Sequence, residues 1–105
     1  MDGKTSIKYL QYYIHQKDHH PELKNDYFLK LSEEVGELAR ALRKDAKAPD
    51  LDHLVGSIDE ELWDVIYYAL AIANLYDIDM EQVIKAKAML NESRYPSPVQ
   101  FEENR

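Results

Sequence analysis

Apolar residues recur three and four apart along most of the chain, and four stretches carry that spacing far enough to predict helices. The first runs from about Thr5 to His15, where Ile7, Leu10 and Ile14 form a narrow stripe. The second runs to Lys44 from about Asp26, read as its cap. In it Phe28, Leu31, Val35, Leu38 and Leu42 make a seam suited to bundle packing. The third opens on Ser57-x-x-Glu60, a capping box, and continues to about Tyr76. Its apolar face is broad: Leu62, Val65, Ile66, Ala69, Leu70 and Ala73, widened by Trp63, Tyr67 and Ile72. Such breadth predicts burial on two sides, by its own bundle and by a partner chain. The fourth runs from Met80 to about Ser93, with Asp79 as its cap and Gln82 placed for a second capping box. Tyr95-Pro96-Ser97-Pro98 stops it, because proline cannot continue the hydrogen-bond ladder.

The connections read differently from one another. Gln16 to Asn25 is a link in which Pro21 can open a short helical turn. Asp45 to Gly56 is a loop long enough for mobility or for a role over a site. From about residue 97 the chain reads as a loose tail. The expectation is one all-α domain over residues 1–105, bundle-like and built of four helices, with apolar surface that calls for an oligomer.

Composition narrows the function. Only 3 Gly and 4 Pro fit long helices, and the absence of Cys excludes disulfides, thiolate metal sites and Cys nucleophiles. The segment MDGKTSIKYL has no apolar signal core, and the longest apolar run, Val65 to Ala73, is too short to cross a bilayer. The expected setting is therefore soluble and cytoplasmic, with no membrane partner. A net charge of −7, from 13 Lys+Arg against 20 Asp+Glu, offers no basic face for a nucleic-acid polymer. An anionic small substrate stays open, because divalent cations between it and the protein would set the local sign.

The candidate chemistry is acidic. In Glu33-Glu34-Val35-Gly36-Glu37, Glu34 and Glu37 lie roughly 60° apart around the second helix, and Glu33 and Glu37 roughly 40°. Glu61 and Asp64 are likewise three apart on the third helix. Both pairs border apolar stripes, where charge is costly. Glu37, Glu61 and Asp64 face Ala41, Val65 and Tyr68 at i+4, so none of the three has a basic residue there. If the two helices pack antiparallel, the four carboxylates can converge, and a bound cation would relieve their repulsion. Oxygen ligands without His or Cys select Mg²⁺, with Mn²⁺ a possible substitute. Taken alone, each pair is better read as a solvated helix face, and Glu60 is better explained as a capping residue. Lys87, Asn91 and Arg94 share a face of the fourth helix and can bind phosphate, although a basic strip near a helix C-terminus needs no ligand. Tyr68, one turn beyond Asp64, can touch a base or sugar; His20 in the first connection can contact phosphate or a base, although an exposed loop histidine needs no ligand.

Glu33-Glu34-x-x-Glu37 followed by Glu61-x-x-Asp64 resembles the signature of the MazG-like, all-α NTP pyrophosphohydrolases. Lys87-x-x-x-Asn91-x-x-Arg94-Tyr95-Pro96 resembles the fourth-helix motif of their dCTPase/dUTPase-like branch, and His20-Pro21 resembles another element of it. The likeness spans about Tyr27 to Pro96. It implies that Glu34, Glu37, Glu61 and Asp64 bind Mg²⁺, that Glu33 helps to activate water, and that Tyr68, Lys87, Asn91 and Arg94 approach a nucleoside triphosphate. It also implies a homodimer or homotetramer with sites near subunit boundaries. Some relatives stack the base on tryptophans flanking the first acidic motif; here the single tryptophan, Trp63, lies inside the second, so base preference does not carry over. Two other readings stand beside this one: a hydrolase of phosphoribosyl-ATP or another diphosphate-linked nucleotide, and a non-catalytic helical dimerisation module.

Overall fold

The structure, a computed structural model, describes residues 4–102; residues 1–3 and 103–105 of the expected domain lie outside the described residues. Four α-helices follow one another: α1 (Ile7–Lys17), α2 (Lys24–Arg43), α3 (Ile58–Leu75) and α4 (Met80–Arg94). Short 3₁₀ turns sit at Pro21–Leu23 and Leu51–His53, and no strand occurs among the described residues.

Side-chain caps fix three of the four helix starts. Ser6 Oγ accepts the N–H of Tyr9, Ser57 Oγ that of Glu60, and the Asp79 carboxylate that of Glu81. The capping box of α3 is shifted by one residue. The Glu60 carboxylate reaches back to the N–H of Gly56, while Ser57 donates its own N–H to Leu54. At α4 the N–H of Gln82 is taken by the Asp79 carbonyl. Asp26 does not cap α2. The 3₁₀ turn at Pro21 feeds the chain directly into helix at Lys24, so Asp26 falls inside the first turn, where its charge still suits the dipole. Both α2 and α3 end in the left-handed region at an aspartate, Asp45 (φ 52°) and Asp77 (φ 55°). Ala46 N–H then bonds back to Ala41 O and Ile78 N–H to Ala73 O, the pattern of a Schellman stop.

The packing centres on α3. Antiparallel α2 covers one side of it: Tyr27 joins the core beside Leu70, Ala71 and Leu75, and at the far end Ala41 and Glu61 line one cavity. α1 covers another side, placing Ile14 in the same core at zero exposure. A buried amide network locks α1 to the α3–α4 corner. Gln11 Nε2 donates to Asn74 Oδ1 (3.0 Å) and to the Ile78 carbonyl (2.8 Å), Asn74 Nδ2 donates to Gln11 O (2.9 Å), and Met80 N–H donates to Gln11 Oε1 (2.9 Å). α4 packs on α1.

Much of the expected apolar seam is left uncovered. Phe28, Val35 and Leu42, seven apart on α2, are each half or more exposed, as are nearly Leu62 and Ile66 on α3. The residues of α2 that do bury are Tyr27 and Ala41, one position away from Phe28 and Leu42. The intramolecular face is thus rotated relative to the seam. Each half-exposed large apolar side chain leaves roughly 1 kcal/mol of burial free energy unrealised, about half the value for full burial. No helix among the described residues is long and apolar enough to cross a membrane.

Candidate active site

The antiparallel pairing of α2 and α3 brings the two acidic motifs together. Glu34, Glu61 and Asp64 each present a carboxylate oxygen within 4.8 Å of the others. Three negative charges at that spacing repel by about 3–4 kcal/mol per pair at an effective dielectric constant near 20. The molecule shows the consequence at Glu61, which is only 7 % exposed. Burial, then the hydrogen bond with Glu34, then the charge of Asp64 push its pKa up to about 7. Asp64 is raised in the same direction, by burial first and by Glu34 next. Glu61 Oε2 is buried without a hydrogen-bond partner. A buried carboxylate oxygen left open amid like charges is the donor set a hard divalent cation requires.

Glu37 does not join that triad. It stands one turn along α2 and lines a cavity of about 160 Å³ with Arg40, Ala41, Lys44, Gly56 and Glu61. Glu61 therefore belongs to both the triad and this cavity. Glu33 lies on the exposed flank of α2, paired with Lys30 at 3.5 Å.

A second cavity, about 170 Å³, opens on the other side of the acids. Tyr68 and His20 share it with Asp18, Leu23, Tyr27 and Lys30. Its wall is held by Asp18, whose carboxylate accepts from Tyr27 Oη (2.7 Å) and Tyr67 Oη (3.0 Å). Tyr27 Oη in turn accepts the His20 N–H at 3.1 Å. Burial and Asp18 raise the Tyr27 pKa to about 12 and push Tyr67 up further. The rings of Tyr67 and Tyr68 meet edge to face at 5.1 Å, which fixes the Tyr68 side of the cavity.

Lys87, Asn91 and Arg94 lie apart from these groups. They ride on α4, which packs against α1, and neither acid-flanking cavity is lined by α4. Asn91 instead lines a hollow with Tyr95 and the chain beyond it, where the Phe101 N–H returns to the Glu92 carboxylate at 2.6 Å. Sequence reasoning missed Asp18, Tyr27, Lys30, Arg40 and Lys44. The last two carried a signal, since Glu37, Arg40 and Lys44 recur at three and four along one face. The Asp18 contacts bridge residues 9 and 49 positions apart and leave no local pattern.

Carboxylates from two antiparallel helices thus meet in one cluster that could hold a metal ion, flanked by two cavities, on an all-α fold. The profile described as the MazG nucleotide pyrophosphohydrolase domain matches residues 24–98. The chain belongs to this family and is a nucleotide pyrophosphohydrolase. It is similar to the crystal structure of Ctag-iMazG from Vibrio DAT 722, with 43% identity, a TM-score of 0.80, and coverage of 84% of this chain and 99% of that one. The Ntag-iMazG structure from the same source gives 41% identity and a TM-score of 0.81 over 89% of this chain and 100% of that chain. No curated protein sequence matches the chain.

Proposed function

We propose that the protein is a Mg²⁺-dependent pyrophosphohydrolase that cleaves nucleoside or deoxynucleoside triphosphates between the α- and β-phosphates, releasing the monophosphate and pyrophosphate. The observation that carries this reading is the convergence of Glu34, Glu61 and Asp64 around the open Oε2 of Glu61. With Glu37 one turn away, these four would hold Mg²⁺, and Mn²⁺ by the same oxygen chemistry. A cation held by these residues would supply charge neutralisation for the phosphates and make the α-phosphorus a better electrophile.

The remaining steps belong to the chain. Glu33 acts as general base for the attacking water once its exposed ion pair with Lys30 opens. Tyr68 and His20 border the cavity suited to the nucleoside end. Lys87, Asn91 and Arg94 reach substrate through assembly, from α4 of a neighbouring copy in a homodimer or homotetramer. The uncovered stripe of Phe28, Val35, Leu42, Leu62 and Ile66 supports that assembly. The whole chain works as one domain, in the cytoplasm, in clearing the nucleotide pool, with no role for a nucleic-acid polymer.

The test is a product assay over common and modified NTPs and dNTPs, with phosphoribosyl-ATP in the panel, run with Mg²⁺ and again with chelator. The expected products are a nucleoside monophosphate and pyrophosphate in equal amounts, only with metal. Release of single phosphate, turnover confined to phosphoribosyl-ATP, or full activity in chelator would sink the reading.

A further inference from the structure

The acids divide α2 into three stations. Lys30 and Tyr27 line the cavity on one side of Glu34, and Glu37, Arg40 and Lys44 line the cavity on the other. The cavity at Arg40 and Lys44 is open on the protein surface, and its volume of about 160 Å³ is roughly five water volumes, the scale of a diphosphate group.

One feature of that cavity points to an anion, and another joins it to the acidic triad. Arg40 and Lys44 share it with the carboxylates of Glu37 and Glu61, yet among the described residues neither cation makes an ion pair with them. Their charges are unspent. Independently, Glu61 is more than nine-tenths buried and lines this cavity, with an Oε2 that has no partner. The cavity therefore opens directly from the triad. A dipole explanation accounts for basic residues at the end of α2 in general, and Arg43 satisfies it without entering the cavity.

We propose that Arg40 and Lys44 hold the β- and γ-phosphates and then the departing pyrophosphate, so that the substrate lies along α2 with its nucleoside toward Tyr68 and its triphosphate tail toward Lys44. This assignment rests on the reading given under Proposed function. Water oxygen bonds to the α-phosphorus as its proton passes to the Glu33 carboxylate, the bond from that phosphorus to the α–β bridging oxygen breaks, and the electron pair leaves on pyrophosphate. The charge that grows on the bridging oxygen and its neighbours meets a planar guanidinium and an ammonium. The α4 cations remain free to serve the α-phosphate or sugar.

Inorganic pyrophosphate is the probe, used with Mg²⁺ as a product inhibitor of triphosphate hydrolysis, with monophosphate inhibition measured in parallel. R40Q and K44Q should each weaken pyrophosphate inhibition by about tenfold or more, since each removes a charge-assisted contact. Monophosphate inhibition should stay within about twofold of wild type. K44R should keep most of the pyrophosphate affinity. Wild-type protein that hydrolyses no triphosphate removes the parent reading and this assignment together. Wild-type protein that hydrolyses triphosphate, with R40Q and K44Q still inhibited normally by pyrophosphate, overturns this assignment alone. So does loss of pyrophosphate inhibition in K87Q/R94Q but not in the α2 variants.

Discussion

Glu34, from the middle of α2, and Glu61, from the first turn of α3, bring carboxylate oxygens within 4.8 Å of each other across the helix pair. Neither helix would bury that contact alone. It exists because the antiparallel register of α2 on α3 sets the first acidic motif opposite the second. Such a pair is tolerable when a proton or a cation lies between its members, and the two occupants compete.

Glu34→Gln and Asp64→Asn should each lower pyrophosphate release by about 100-fold or more, because a lost ligand costs at least what a lost supporting contact does. Circular dichroism and melting should show an intact fold. Near-normal turnover in either variant would remove these residues from the metal site.

The competition has a pH signature. The Glu61 carboxyl is held up at about 7 against an ordinary value of 4.5. Its folded-state pKa is raised, so the folded state binds the proton more tightly than the unfolded chain does. The stability this contributes is complete below about 4.5 and is lost as pH climbs through about 7. In chelator, the melting temperature should therefore fall across that window. Glu61→Gln should flatten the fall and melt higher than wild type at pH 8 while abolishing activity. An unchanged slope would show that Glu61 is not the group titrating.

Adding Mg²⁺ to the wild type at pH 8 should reverse that loss, by about 2.7 kcal/mol when the ion is at a hundred times its dissociation constant. Differential scanning fluorimetry reads it directly. The shift should vanish in a Glu34→Gln, Asp64→Asn double variant. A similar gain from NaCl of equal ionic strength would mark simple screening.

The uncovered apolar stripe predicts its own experiment. Val35→Glu or Ile66→Glu should halve the mass measured by light scattering and lower thermal stability, because the stripe is then too polar to be covered. A wild type that is already monomeric at micromolar concentration would dismiss the assembly.

Tyr67→Phe leaves Asp18 with Tyr27 as its remaining hydroxyl partner. The expected cost is about 1.5–3 kcal/mol, the range for a hydrogen bond to a charged group. In kinetics it should raise KM more than it lowers kcat, because it loosens the cavity wall rather than the acids. Urea melts and steady-state kinetics check the two halves separately.

The helices were legible in the sequence because their signals are local. Ser57 and Asp79 cap where their spacing to the following turn says they should, and Ile14 buries as its stripe requires. Glu34, Glu61 and Asp64 were legible too, as acids bordering apolar stripes on two helices that a loop can fold together. The start of α2 was misjudged because Pro21 nucleates a turn that runs on into Lys24, which overrides the capping preference of Asp26. The α2 seam read correctly as apolar, but periodicity does not tell which half of a wide stripe meets α3. Asp18 and its tyrosines were invisible, since their contacts join three separate segments.

The amide lock between Gln11 and Asn74 also sets how the molecule comes apart. Met80 gives its N–H to the Gln11 side chain, so the amide hydrogen of the first residue of α4 is shielded from exchange by a group carried on α1. Slow exchange of that one proton is expected while α1 stays seated on the α3–α4 corner. Because Asp18 follows α1 directly, loosening of α1 also disturbs a wall of the cavity beside Tyr68.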